Sequence, residues 1–149
     1  MRLRRARPAD ADAVADVFIA SFEPLLRFLP RLHTHEEDRA FVRDLVERHE
    51  VWLAEEGDRA LGFAALSEAK LEQLYVHPAH QRRGVGAALL AKAKERRPDG
   101  FELWVFQENE QARRFYEAND CRLVRLTDGS GNEEKTPDAL YAWRPEPGG

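Results

Sequence analysis

The sequence predicts an α/β fold, α+β in detail: a mixed, mostly antiparallel sheet of six or seven strands flanked by about four helices. Three observations carry that expectation. Short apolar runs bounded by turn residues recur along the 149 residues. Segments between them repeat their apolar residues at helical spacing. Some of the strands follow one another directly as hairpins while others are separated by helices, so the sheet must be mixed and its faces covered. At 43% hydrophobic, the chain can build one domain core over residues 1–149 and is too short for two comfortable ones.

Leu3–Arg7 reads as a short strand, after which Pro8 and Asp10 open a helix with Asp10 as its N-cap and Val14, Val17, Phe18 and Phe22 as its apolar stripe. Pro24 and Pro30 bracket an irregular connection. Thr34 and Glu37 have the spacing of a capping box, and Phe41, Val42, Leu45 and Val46 form the buried face of the helix that follows. Val51–Glu55 and Ala60–Leu66 form a hairpin across Glu56-Gly57-Asp58. Leu71–Val76 is the next strand, ended by His77-Pro78. A helix follows Gly84 and Gly86 and stops at Pro98-Asp99-Gly100. Phe101–Phe106 is a strand, and Asn109 caps a helix carrying Ala112, Phe115 and Tyr116. Arg122–Leu126 and Ala139–Trp143 close the series, separated by the polar loop Thr127–Asp138, and Pro145–Gly149 is a loose tail. The order is β-α-α-β-β-β-α-β-α-β-β.

Composition excludes several function classes. A net charge of −4 argues against a nucleic-acid or anionic-membrane binder. The single cysteine, Cys121, excludes an internal disulfide framework and a cysteine-built zinc site. No stretch approaches the ~20 apolar residues of a membrane span, and the arginine-rich start lacks the apolar run of a signal peptide. The expected location is cytoplasmic.

The chemistry concentrates between Leu71 and Leu90: a strand, a turn Gln81-Arg82-Arg83-Gly84-Val85-Gly86, then a helix. Glycines let backbone approach a ligand, and the free N–H groups of a helix start make a pyrophosphate cradle. From Ala79 to Arg97 the chain carries +5, against −9 for the remainder, so a polyanion finds its strongly positive surface here. The P-loop pattern is absent and the dinucleotide fingerprint is incomplete, since Leu89 stands where its third glycine belongs. The same stretch also fits an ordinary glycine-containing turn ahead of a helix with solvated basic residues.

Gln81-Arg82-Arg83-Gly84-Val85-Gly86, behind the strand Leu71–Val76, resembles the Q/R-x-x-G-x-G/A signature of the GNAT family of acetyl-CoA-dependent N-acetyltransferases. Asn109, Ala112, Phe115 and Tyr116 resemble that family's N-x-x-A-x-x-F-Y, and the element order matches its fold over nearly the whole chain. One departure is Asp120-Cys121, where the family places Gly-Phe; Asp tolerates a left-handed helix end. The resemblance implies that acetyl-CoA is the cosubstrate, without a metal. Gln81 belongs to the signature, backbone amides of Arg83, Gly84, Val85, Gly86 and Ala87 bind pyrophosphate, and Arg82 or Arg83 contacts phosphate. Backbone groups of Leu74 and Val76 pair with the pantetheine arm, the Val76 amide polarises the thioester carbonyl, and Asn109, with Ala112 beside it, contacts the pantetheine.

Two proton transfers need side chains. An alkylammonium has a pKa near ~10 and must lose a proton before attack. Tyr116 stands where the family keeps a donor to the leaving thiolate; its spacing from Ala112 equally fits a core aromatic. Glu72 alternates with Leu74 and Val76 and is the candidate base, acting through water, or else a plain exposed or acceptor-binding acid. His33 and His35 read as exposed residues at a capped helix start, since no ligand constellation accompanies them. His77 and His80 belong to the turn before the cradle. Nine acids against three arginines between His35 and Asp58 would attract a cationic amine, or form a solvated face. The loop Thr127–Asp138 is long enough to fold over a pocket and contribute to acceptor selection. Cys121 reads as a buried, inert thiol.

The expected activity is acetyl transfer to a primary amine, a small molecule being favoured, by direct attack in a ternary complex. The alternatives are a protein N-terminal or lysine acetyltransferase and a non-catalytic acyl-CoA-binding module. The expected partners are therefore amines, free or on a peptide, with no nucleic acid and no membrane. Family members often dimerise, so a homodimer is one expected assembly.

Overall fold

The computed structural model describes residues 1–145; the tail expected at 145–149 lies, but for Pro145, outside the described residues. Seven strands and four α-helices alternate as β1 (Arg2–Arg5), α1 (Ala11–Phe22), α2 (His35–Arg48), β2 (Glu50–Glu56), β3 (Arg59–Leu66), β4 (Leu71–Val76), α3 (Val85–Arg96), β5 (Phe101–Phe106), α4 (Glu110–Ala118), β6 (Arg122–Leu126) and β7 (Asp138–Trp143). The strands form two antiparallel sheets, β1-β2-β3-β4 and β5-β7-β6. β4 and β5 meet only where they begin, through a parallel bridge between Lys70 and Glu102 and an Ala69 carbonyl that accepts from the Glu102 N–H at 3.0 Å. Beyond that point the strands part.

The burial pattern explains the layers. β3 is buried along Leu61–Leu66 and from Phe63 onward alternates its side chains between two cores, while Leu61 joins Ala64 and Leu66 because the register with β2 shifts at that point and skips it. Phe63 and Ala65 face α1 and α2, with Val14, Val17, Phe18, Val42 and Leu45. Leu61, Ala64 and Leu66 face α3, with Val85, Leu89 and Leu90, in a core that continues into the second sheet through Phe101, Leu103 and Tyr141. Burying apolar area on both faces is what holds the first sheet between α1 and α2 on one side and α3 on the other.

Local signals set several boundaries. Thr34 and Glu37 form the full capping box, the Thr34 hydroxyl accepting from the Glu37 N–H at 3.1 Å and the Glu37 carboxylate from the Thr34 N–H at 2.8 Å. Gly57, at φ +62, makes the β2–β3 turn. Asp120, at φ 69, ends α4 in the left-handed conformation, and Cys121 behind it is buried, which pushes its thiol up to about 11.

Three expectations are corrected. Asp10 does not cap α1: its carboxylate accepts from Arg4 at 2.8 and 2.9 Å and from the Arg7 N–H at 2.8 Å, and a single 3₁₀ turn at Pro8–Asp10 precedes the helix. The same carboxylate turns the chain early, so β1 ends at Arg5 rather than Arg7. Phe41 is 42% exposed instead of buried, because its ring reaches past the core to a groove beside β4.

Candidate active site

The pairing of β4 with β3 decides which backbone groups are free. The His77 N–H donates to the Leu61 carbonyl at 2.8 Å, and in the same register Val76 faces Gly62 and Leu74 faces Ala64. Bonded and non-bonded pairs alternate in an antiparallel ladder. Val76 and Leu74 therefore turn their N–H and C=O groups away from β3, toward the edge that β5 leaves uncovered. The Val76 carbonyl accepts from Ser21 Oγ at 3.1 Å and Gln81 Nε2 at 3.3 Å, while its amide faces the opening. Between the parted strands lies a slot of about 90 Å³, lined by Leu74, Val105, Phe106, Asn109, Ala112 and Tyr116 among others.

At one end of β4 the turn curls into a cradle. Arg82 and Gly84 are left-handed, at φ 64 and 79, an arrangement that draws successive N–H groups toward a common point. The first bond inside α3 runs from the Ala88 N–H to the Gly84 carbonyl at 3.0 Å, so the amides of Val85, Gly86 and Ala87 have no acceptor within the helix. Arg82, Arg83, Gly84 and Ala87 are exposed, leaving the cradle open to an anion. The glycines serve different needs. Gly84 supplies the positive φ, whereas a Cβ on Gly86 would sit 3.3 Å from the Phe115 ring and 3.6 Å from Val76, so Gly86 lets α3 close on α4 and β4. Gln81 ties the turn to Val76 and, through Gln111 at 3.4 Å, to α4. Arg83 lies near His80 at 3.2 Å and Glu56 at 3.5 Å, both exposed contacts.

α4 supplies the other wall of the slot. Asn109 caps it, Oδ1 accepting from the Ala112 N–H at 3.3 Å, which leaves Nδ2 as its donor. Tyr116 is 7% exposed, and burial raises its phenol well above the ordinary value. Every fully buried side-chain N or O atom among the described residues has a hydrogen-bond partner, and the Tyr116 hydroxyl has none, so its oxygen is not fully buried; Tyr116 itself lines the slot. α4 is fixed on β7 by buried Tyr141, whose hydroxyl accepts from Arg113 Nε at 3.0 Å and donates to Glu117. Glu72 is exposed at the edge of the slot and accepts from Ser67 Oγ at 2.8 Å.

The slot shares Glu72, Gln73, Tyr75, Trp104 and Phe106 with a groove of about 790 Å³ on the α1–α2 side. Phe18, Phe22, Phe41 and Tyr75 form one aromatic wall, the Phe18 ring lying 5.8, 5.5 and 5.5 Å from the other three. The groove also takes in carboxylates of Glu37, Asp38, Glu72, Glu133 and Glu134. Burial, with Glu134 adding to it, pushes Tyr75 up to about 12. Among the described residues, no group of three or more His, Cys, Asp or Glu is placed to hold a metal, and no helix is long and apolar enough to cross a membrane.

Residues 47–120 match the acetyltransferase (GNAT) domain family. An uncharacterised N-acetyltransferase of Archaeoglobus fulgidus is 31% identical over 151 residues, covering 89% of this chain and all of that one. The chain belongs to the GNAT acetyltransferase family. It is an acetyl-CoA-dependent acyltransferase by that membership. This GNAT chain is also 36% identical to the peptidyl-lysine N-acetyltransferase YiaC of Escherichia coli over 93 residues, 62% of each chain. The structure of yncA from Salmonella typhimurium, solved with its cofactor acetyl-CoA, superposes with a TM-score of 0.74 at 18% identity, covering 97% of this chain and 93% of that one.

Within this GNAT fold, the residues singled out in the sequence assemble around one strand: Leu74 and Val76 on β4, the turn 81–87 beyond it, and Asn109, Ala112 and Tyr116 across the slot. Sequence reasoning missed Tyr75 and Trp104 as groove residues. A signal existed in β5, where Glu102, Trp104 and Phe106 alternate with buried Phe101, Leu103 and Val105 and put aromatic rings on the less buried face. The acids were legible only in bulk, Asp38 within the acidic stretch His35–Asp58 and Glu133 and Glu134 within the loop Thr127–Asp138, because nothing local marks which acid of a charged run faces a pocket.

Proposed function

We propose that the protein acetylates the primary amine of a small-molecule acceptor from acetyl-CoA, by direct attack in a ternary complex. The observation that carries this reading is the free edge of β4, which runs from the turn with unpaired α3 amides along a slot lined by Tyr116 that opens on the groove. The cradle amides, Arg83 to Ala87, hold the pyrophosphate, with Arg82 and Arg83 beside it. The backbone of Leu74 and Val76 takes the pantetheine arm as an added strand, and Asn109 donates to it through Nδ2. Acetyl-CoA supplies an activated acetyl group as a thioester, so a C–N bond forms as the C–S bond breaks. The Val76 amide donates to the thioester carbonyl oxygen, where negative charge develops. Tyr116 donates its proton to the departing sulfur, and Glu72 receives the ammonium proton through water.

Calorimetric titration with acetyl-CoA and then CoA, beside a Gly84→Asp/Gly86→Asp variant, tests the cradle. Binding that the variant abolishes supports it, and a panel of amines followed by CoA release tests the transfer. A folded protein that binds neither ligand overturns the reading. The second reading, a peptide lysine as acceptor, is favoured by the likeness to YiaC over 62% of the chain.

A further inference from the structure

Resting on the acetyltransferase reading, we infer that the acceptor is a small free diamine: an apolar body with one reacting amine, its second cationic group held by Asp38 and Glu134. The groove has two kinds of lining. Phe41 and Trp104, 42% and 43% exposed, leave ring surface facing its volume of about 790 Å³, which suits the carbon chain of a small ligand. Among the described residues, five carboxylates share that lining with one arginine, Arg31, and one titratable base, His33.

Both are already engaged. Arg31 pairs with Glu23 at 2.9 Å, and His33 with Glu133 at 2.5 Å and Glu37 at 3.8 Å. Glu37 is also held by the Thr34 cap, and Glu72 by Ser67. Half-buried Asp38 and Glu134 make no ion pair among the described residues. Burial raises the Asp38 carboxyl, with His33, His35 and Arg31 opposing and Glu37 adding, so a cation arriving beside it removes an unfavourable environment.

Glu134 is presented by a fixed loop. Thr127 Oγ1 donates to Asp138, Asn132 Nδ2 to the Thr136 carbonyl at 2.7 Å and to Asp138 at 3.1 Å, and Gln107 Nε2 to the carbonyls of Thr127 and Asp138, both at 2.9 Å. Gly129 packs so tightly that a Cβ would stand 2.2 Å from the Thr136 carbonyl carbon. The His33–Glu133 contact joins the α1–α2 connection to this loop across the groove. A lysine carried on a folded protein must bring its flanking chain past that contact; a free diamine has none to bring.

The test compares hexylamine, hexamethylenediamine and a lysine peptide by CoA release, with acetyl-CoA binding measured on the same sample. The diamine is expected to lead hexylamine by about tenfold or more in kcat/KM, a preference that shrinks with added salt. Glu134→Gln and Asp38→Asn should each lower the diamine-to-hexylamine ratio, chiefly through the diamine KM, while Glu36→Gln, outside the groove, leaves the ratio unchanged. Acetyl-CoA binding with no diamine preference, with the peptide as the better acceptor, or with no amine acetylated overturns the diamine inference alone. A preference that survives both groove variants overturns the assignment to Asp38 and Glu134. Absence of acetyl-CoA binding overturns the underlying reading as well.

Discussion

Replacing Tyr116 with Phe separates chemistry from stability more cleanly than any other change in the slot. Its hydroxyl has no hydrogen-bond partner among the described residues and its ring packs against Phe115 and Tyr141, with centroids at 5.2 and 6.4 Å. Phe keeps those ring contacts and abandons no partner, so unfolding free energy should change by less than about 0.5 kcal/mol. Burial raises the phenol above its ordinary 10, so the proton stays on oxygen throughout the neutral range. A positioned proton donor contributes about 10²–10⁴-fold, which corresponds to ~3–5 kcal/mol of barrier. Tyr116→Phe should therefore lower kcat by that factor and leave acetyl-CoA affinity and the urea midpoint near wild type. The assay is CoA release at saturating acetyl-CoA, with urea unfolding on the same preparation. A variant that turns over within about threefold of wild type refutes the assignment, since that difference is worth only ~0.7 kcal/mol. A variant that loses activity and stability together makes Tyr116 a packing residue instead.

Gly62→Ala would bring a Cβ to 2.7 Å from the Tyr75 carbonyl oxygen and 3.2 Å from Val85 and Leu89. The overpacking should cost about 1–3 kcal/mol by urea unfolding and weaken acetyl-CoA binding by shifting β4; an unchanged midpoint and affinity would count against the tight β3–β4 approach. His33 should titrate above its ordinary 6.5, chiefly through Glu133 of the β6–β7 loop, with Glu37 and Asp38 of α2 adding. Its contribution to holding the loop is complete below 6.5 and fades as pH rises through the higher folded value. NMR titration should show Glu133→Gln bringing His33 back toward the ordinary value, and an unshifted curve would dismiss the contact. Burial alone would raise Glu50, but hydrogen bonds from Arg96, Trp52 and Arg97 take it down to about 2. Its stabilisation is thus present above the ordinary 4.5 and is lost as pH falls toward 2. The stability gap between wild type and Glu50→Gln should narrow between neutral pH and about pH 3, and a gap independent of pH would refute the ion-pair account.

Much of the architecture was legible because its causes are local. The Thr34 capping box, the Asn109 cap and the turn at Gly57 each depend on residues within a few positions, and all appear as read. Asp10 departs from its expected role for the complementary reason. Its spacing suits a cap, but Arg4 competes for the same carboxylate with two charge-assisted bonds, and those prevail. Phe41 has core periodicity, yet the helix carries it to the rim, where no strand covers it.

By itself the sequence determined the element order, the cradle turn 81–87 and the family resemblance, since these rest on contiguous residues whose backbone preferences and spacing act locally. Only the tertiary structure decided that β4 and β5 part after Lys70 and Glu102, that the amides of Leu74 and Val76 face the gap, and that Tyr116 lines it. It also decided the groove, where His33 meets Glu133 across 100 residues of chain. Such contacts are set by how two sheets pack around shared cores, a balance over the whole fold that no short window of sequence contains.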